Sequence, residues 1–164
     1  MKLSITILAF MVMSSICLAS DKEAAETVAQ KYMSAFFHGD LEAAVGLMHS
    51  QALTNMKTTM VSELERARAA GKEKEFYKSL NLTPVVRLED LGKEELYVTV
   101  LTSSRSLDPE FTESMKSAVV EIKESKVLSS DRIVVLLNVH TNGFTQESPI
   151  MVQKDKLSWK IVMN

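Results

Sequence analysis

The run Ile133-Val134-Val135-Leu136-Leu137-Asn138-Val139-His140-Thr141-Asn142-Gly143-Phe144 decides how this chain is read. Ile133, Val135, Leu137 and Val139 fall on one side of a two-residue repeat, and Val134, Leu136, Asn138 and His140 on the other, which is the pattern of a strand with one covered face. Asn142-Gly143 follows, and both residues tolerate the positive φ of a type I′ hairpin turn. A returning strand from Phe144 to Gln153 is therefore expected. Pro149 lies inside it and cannot donate to a ladder, so that strand is expected to be bulged or to have a free side at that point.

The pattern extends both ways from this hairpin. Downstream, Lys154-Asp155-Lys156 reads as a turn into a last strand, with Leu157, Trp159, Ile161 and Met163 on one face and Ser158, Lys160 and Val162 on the other. Upstream, Ala118, Val120 and Ile122 alternate with Val119, Glu121 and Lys123 ahead of a Ser129-Ser130-Asp131 turn, although Phe111, Met115, Ala118, Val119 and Ile122 also suit a helix. The sum is a four-stranded antiparallel meander over Ala118 to Met163, whose apolar face needs a cover.

The first half of the chain has the residues to cover it. Ala25, Val28, Tyr32, Ala35 and Phe36 recur at helical spacing between Asp21 and Phe37. Gly39 suits the left-handed close of that helix and Asp40 the cap of the next, from Leu41 to about His49. A third helix is expected from Ala52 to Ala70, striped by Leu53, Met56, Met60 and Leu64, with Glu63-Arg66 and Glu65-Arg68 ion pairs outside. Gly71 ends it, a short charged helix runs from Lys72 to Leu80, and Asn81-Leu82-Thr83-Pro84 connects onward. The stretch Glu94 to Thr102 is β-branched in composition yet apolar at helical offsets, and helix is preferred, with Asp90 as its cap. Asp108-Pro109-Glu110 starts another helix through Met115. The fold class is α+β: N-terminal helices packed on a C-terminal four-stranded antiparallel sheet.

Residues 1–20 form a different kind of segment. A Met1-Lys2 start, an apolar run from Ile5 to Met13 and small residues at Ala19 and Ser20 have the form of a cleavable signal peptide. Cleavage after Ala19 or Ser20 leaves one domain over 21–164 and sends it to the periplasm or outside the cell. It also removes Cys17, the one cysteine, so the mature domain must be held by its core alone. The net charge is −2 before processing and one unit more negative without Lys2. No basic surplus or stripe suits a nucleic-acid partner.

Motifs for catalysis are missing. The chain has no G-x-S-x-G elbow, no phosphate-cradling loop and no H-E-x-x-H pair. Its three histidines share no ligand spacing, so no metal and no cofactor is expected. His38 and His49 each read as a residue near a helix C-terminus. His140 and Asn138 lie where the second face of their strand turns polar, and a pocket with a few polar anchors can form at such a place. Tyr32 and Tyr97 could add hydroxyls, which makes Tyr32, Tyr97, Asn138 and His140 the ligand-pocket candidates. The commoner outcome for each is plainer: a core tyrosine with its hydroxyl at the rim, or a polar side chain reaching solvent.

The paired helices around Gly39-Asp40, the Ala43-Ala44 of the second helix and the closing Leu157-Ser158-Trp159-Lys160-Ile161-Val162 resemble the NTF2-like (cystatin-like, cone-shaped) superfamily. That resemblance implies a curved antiparallel sheet wrapped on helices with a cavity between them. It covers isomerases, dehydratases and many binding proteins, and it matches no catalytic residue to a position here. The helical middle, Ala52 to Met115, is longer than the resemblance implies.

The functional expectation is an exported, non-catalytic domain that binds a small apolar ligand or a partner protein at the cell envelope. One alternative is an isomerase or dehydratase using His140 with a tyrosine or carboxylate. Another is a structural or assembly module acting through its sheet face, as a homodimer.

Overall fold

The computed structural model describes the backbone of residues 4–162 except 84 and 86, with side chains from residue 20 onward. Met1-Lys2 and the side chains of the expected leader, Pro84 of the connector, and Met163 of the last strand lie outside the described residues. Among those described, six helices precede four strands: α1 (Ser4–His38), α2 (Leu41–Gly46), α3 (Ser50–Ala69), α4 (Glu73–Ser79), α5 (Lys93–Arg105), α6 (Pro109–Met115), β1 (Val119–Ser129), β2 (Arg132–Thr141), β3 (Phe144–Asp155) and β4 (Ser158–Val162). The strands form one antiparallel sheet in the order β1-β2-β3-β4. The class is α+β, as the period-two run and the helical first half require.

The central hairpin forms where Asn142-Gly143 permits it, with φ of 41° and 85° at the two turn residues. Its apolar face is the centre of the core: Ile133, Val135, Leu137 and Val139 are all buried. Helix α1 lies across that face and touches all four strands. Ala25 and Ala29 are fully buried at the contact, because small side chains let a helix axis approach a sheet closely. Trp159 and Ile161 of β4 close the same layer. Each large apolar side chain removed from water here contributes about 1.5–3 kcal/mol.

A second, smaller apolar cluster sits among the middle helices: Leu64 of α3, Tyr77 of α4, Leu88 in the loop and Leu96 of α5. Met56 packs against both clusters and joins them. This division explains why Glu94 to Thr102 reads ambiguously. In α5, Leu96 and Val100 face the small cluster while Tyr97, Val98 and Leu101 face the large one. Apolar residues on two adjoining stripes blur the helical period. Packing then overrides the strand-like composition.

Several local expectations need correction. Helix α2 stops at Gly46, because Leu47, Met48 and His49 leave it to bridge β4. The Ile161 amide donates to the Leu47 carbonyl at 2.9 Å and the His49 amide donates to the Ile161 carbonyl at 2.8 Å. His49 is therefore not a C-terminal residue. It caps α3, its Nδ1 accepting from the Gln51 amide at 3.1 Å. The N-cap of α5 is Gly92, whose amide donates to the Glu95 carboxylate, whereas Asp90 pairs with Arg87 in the preceding loop. Arg68 reaches Glu73 and Glu89 rather than Glu65, tying α3 to α4 and to the loop before α5. Leu157 sits in the turn before β4 and is 98 % exposed, since β3 runs on to Asp155 and leaves only Lys156-Leu157 for the reversal.

Pro149 has the free side that its chemistry demands. It pairs inward with Leu136 in an unbroken β2–β3 register, while among the described residues β4 reaches only as far as Met151. β3 has 12 residues and the described part of β4 has 5, so among the described residues the Phe144–Ile150 part of β3 has no strand partner on that side.

Candidate functional site

The four candidate side chains separate into two pairs on opposite sides of the sheet. Tyr32 of α1 and Tyr97 of α5 are both buried, and their hydroxyls lie 3.1 Å apart. Burial, and then the neighbouring Tyr97 hydroxyl, push the Tyr32 phenol well above its ordinary value. It therefore stays protonated at neutral pH, and its chemistry is that of a hydrogen-bond donor rather than a base.

Asn138 and His140 belong to the alternate face of β2, turned away from α1. Asn138 stands in register with Glu121 of β1 and Glu147 of β3. His140 Nδ1 lies 2.8 Å from the Thr145 hydroxyl, and its Nε2 lies 3.5 Å from Glu121. Its side chain is 38 % exposed. The sheet stands between this polar row and the tyrosine pair, so His140 and a tyrosine do not share one reaction site.

Tyr32 adjoins a cavity that has no signal of its own in the sequence. A groove of about 340 Å³ runs between the C-terminal half of α1 and the place where β4 ends beside β3. Tyr32, Met33 and Phe36 form one wall, and Ile150, Met151 and Ile161 form the other. On α1 the positions 32, 33 and 36 share one side, so a single helix face supplies the whole wall. Tyr32 and Phe36 stack with ring centroids 6.4 Å apart. Phe36 also lines a second apolar hollow of about 190 Å³, together with Leu101, Phe111 and Met115. The Phe36 ring thus separates two small cavities.

Arg105 fixes the end of this wall. Its guanidinium donates to the Phe36 carbonyl at 2.7 Å and the Phe37 carbonyl at 3.1 Å, and it lies 5.9 Å from the Phe36 ring centroid. These are carbonyls at the last turn of α1, where a cation is favoured and acceptors go short of partners. Gly39 completes the turn with φ of +86°.

A larger hollow of about 560 Å³ lies along α3, walled by Thr54, Lys57, Val61, Glu65 and Lys93. It is open and rimmed by charge, and it takes in none of the sequence candidates. Among the described residues no three His, Cys, Asp or Glu side chains are grouped to hold a metal ion. Nor, among them, is any helix long and apolar enough to cross a membrane.

No protein-family model, curated protein or solved structure matches this chain.

The groove residues had a faint signal in the sequence. Tyr32 and Phe36 were visible as a stripe, but a stripe marks core as readily as cavity. What makes a groove here is the meeting of the Tyr32 and Phe36 side of α1 with Ile150 and Met151 of β3, which tertiary packing sets and no local pattern announces.

Proposed function

We propose that this is an exported, non-catalytic binding domain that takes a small apolar ligand in the groove between α1 and the β3–β4 end. One observation carries the reading: an apolar hollow of about 340 Å³ with a buried, protonated phenol at its wall. That volume is at the lower end for small-molecule sites, which are typically apolar with a few polar groups that orient the ligand. Tyr32 supplies such a group. The paired helices about Gly39-Asp40 and the closing Trp159-Lys160-Ile161 strand support placing the domain among NTF2-like folds, where a cavity between sheet and helices is usual. The leader-like start supports a site of action in the periplasm or outside the cell.

A partner protein is the second reading, and the free edge of β3 favours it. The stretch Phe144–Ser148 leads up to Pro149 and Ile150 of the groove and has no strand partner on that side among the described residues, so an extended peptide could add a strand there and place one apolar side chain in the hollow.

Titration with N-phenyl-1-naphthylamine, whose fluorescence rises in apolar surroundings, tests the ligand reading. Saturable binding at one site is expected, weakened about tenfold by Phe36→Ala, with circular dichroism confirming the fold. Binding that never saturates, or that ignores Phe36→Ala and Ile150→Gln alike, would refute it.

A further inference from the structure

The opposite edge of the sheet carries a different signal. β1 is an edge strand of 11 residues, and it bears four exposed large apolar side chains: Val119 (55 %), Ile122 (38 %), Val127 (40 %) and Leu128 (50 %). An edge of this kind is a template for pairing, which natural sheets usually blunt with charge or bulges. Here the charges have an order. Val119-Val120-Glu121-Ile122-Lys123 is followed by Glu124-Ser125-Lys126-Val127-Leu128. Laid antiparallel against itself about its midpoint, the strand sets Glu121 opposite Lys126, Lys123 opposite Glu124, Val120 opposite Val127 and Val119 opposite Leu128. Each acidic residue meets a basic one.

A regular strand could not use that register. Residues directly opposed in an antiparallel pair must point to the same face, and a midpoint between two consecutive residues opposes an up residue to a down one. The bulge in β1 removes the conflict. Ile122 pairs with Leu137, whereas Glu124 pairs with the very next residue, Leu136, so Lys123 is the inserted residue. Ile122 accordingly shares the inner face with Val120, Ser125 and Val127. Glu121, Glu124 and Lys126 share the outer face, and so does Lys123, which pairs with Glu147. With Lys123 and Glu124 both outward, every opposed pair from Val120 to Val127 falls on one face.

The backbone agrees. Gln30 Nε2 donates to the Val120 carbonyl at 2.8 Å, which places that carbonyl on the free edge rather than toward β2. Val120 and Val127 would then exchange edge bonds, with the second lone pair of the Val120 carbonyl available to the incoming amide.

We propose that β1 pairs antiparallel with β1 of a second copy of this chain, joining two four-stranded sheets into one of eight strands centred between Lys123 and Glu124. The occupant is a second copy because the charge order is complementary to itself. The groove lies at the other edge and plays no part in this contact.

Sedimentation equilibrium on protein purified from cells expressing the full chain tests the pairing. A concentration-dependent dimer is expected. Glu121→Lys or Lys126→Glu alone sets like charges opposite each other twice per dimer, and each should weaken association about tenfold. The double swap E121K/K126E restores the complementary order and should restore the dimer. A monomer at all concentrations overturns the proposal. So does a dimer that both single swaps leave intact, because it must then use another surface. Melting curves of the swapped chains verify that these exposed positions leave the fold unchanged.

Discussion

The hydroxyls of Tyr32 and Tyr97 meet at 3.1 Å across 65 residues of sequence. This contact joins α1, which covers the sheet, to α5, which belongs equally to the second apolar cluster. It is a polar contact inside an otherwise apolar seam, and such contacts are sensitive to the loss of either partner.

Removal of one hydroxyl should show this. Tyr97→Phe leaves the buried Tyr32 hydroxyl without that contact and is expected to cost about 1–2 kcal/mol in urea unfolding. Tyr32→Phe/Tyr97→Phe together should cost less than the sum of the single changes, because the second removes what the first stranded.

Alkaline pH tests the same pair. The Tyr32 phenol has a raised folded-state value, so its contribution is complete below the unfolded value of about 10 and declines as pH rises above it. Stability is expected to fall above about pH 10, and an ultraviolet absorbance titration should show one phenol that ionises only when the chain unfolds. A phenol that titrates normally in the folded protein would contradict the burial.

Acid acts on the middle of α1, at Asp21. Asp21 accepts two hydrogen bonds from the Lys154 ammonium at 2.9 Å and one from the Trp159 indole at 3.3 Å. The Lys154 contact holds the Asp21 carboxyl below its ordinary value of 3.8. Its contribution is therefore present above that value and lost as pH falls through the lower, folded one. Asp21→Asn should flatten the acid limb of the stability profile below about pH 4, measured by thermal melts across pH.

The close of α1 gives a structural prediction. Arg105→Ala removes the donors to the Phe36 and Phe37 carbonyls and is expected to cost about 1–3 kcal/mol by denaturant unfolding. Gly39→Ala should cost about 1 kcal/mol, because its φ of +86° strains any side chain although the nearest atom, Arg105 Nη2, would be an ordinary 3.6 Å away. Both changes should also weaken probe binding in the groove if Phe36 is displaced.

His140 predicts the opposite result. Its partners, Thr145 and Glu121, lie on the exposed face. His140→Ala is expected to change unfolding free energy by no more than about 0.5 kcal/mol and to leave the groove unaffected. A large loss would mean that the polar row is covered by something the monomer does not supply.

These residues also mark how far the sequence could be read. Ile133 to Phe144 announced its strand and turn because period two and the Asn142-Gly143 pair are local properties. Asp40 and Asp108-Pro109 announced their helix starts for the same reason, each side chain bonding an amide three residues on. His49 was misread because the end of α2 is set by a strand more than a hundred residues away. Leu157 was misread because alternation alone does not reveal where a turn begins. The candidate site divided for a similar cause: Tyr32, Tyr97, Asn138 and His140 were each plausible alone, but only the packing of α1 against one face of β2 decides who shares a side. The groove depends on α1 packing beside Ile150, Met151 and Ile161, a placement that no local pattern states.

The bridge between Met48 and Ile161 has a consequence for assembly. β4 is held by β3 on one flank and by the Leu47–His49 corner on the other, and Lys160 adds a bond to the Gly46 carbonyl at 2.7 Å. The final strand is thus a wedge between the helical half and the sheet. Chain entropy makes such a distant closure slow, and it must wait until β4 has been synthesised. Until Trp159 and Ile161 arrive, α1 has an incomplete sheet to lie on and Asp21 lacks its indole partner. Any step that needs this domain unfolded gains time from the arrangement, since Trp159 and Ile161 of β4 are the residues that hold Asp21 and α1 in place.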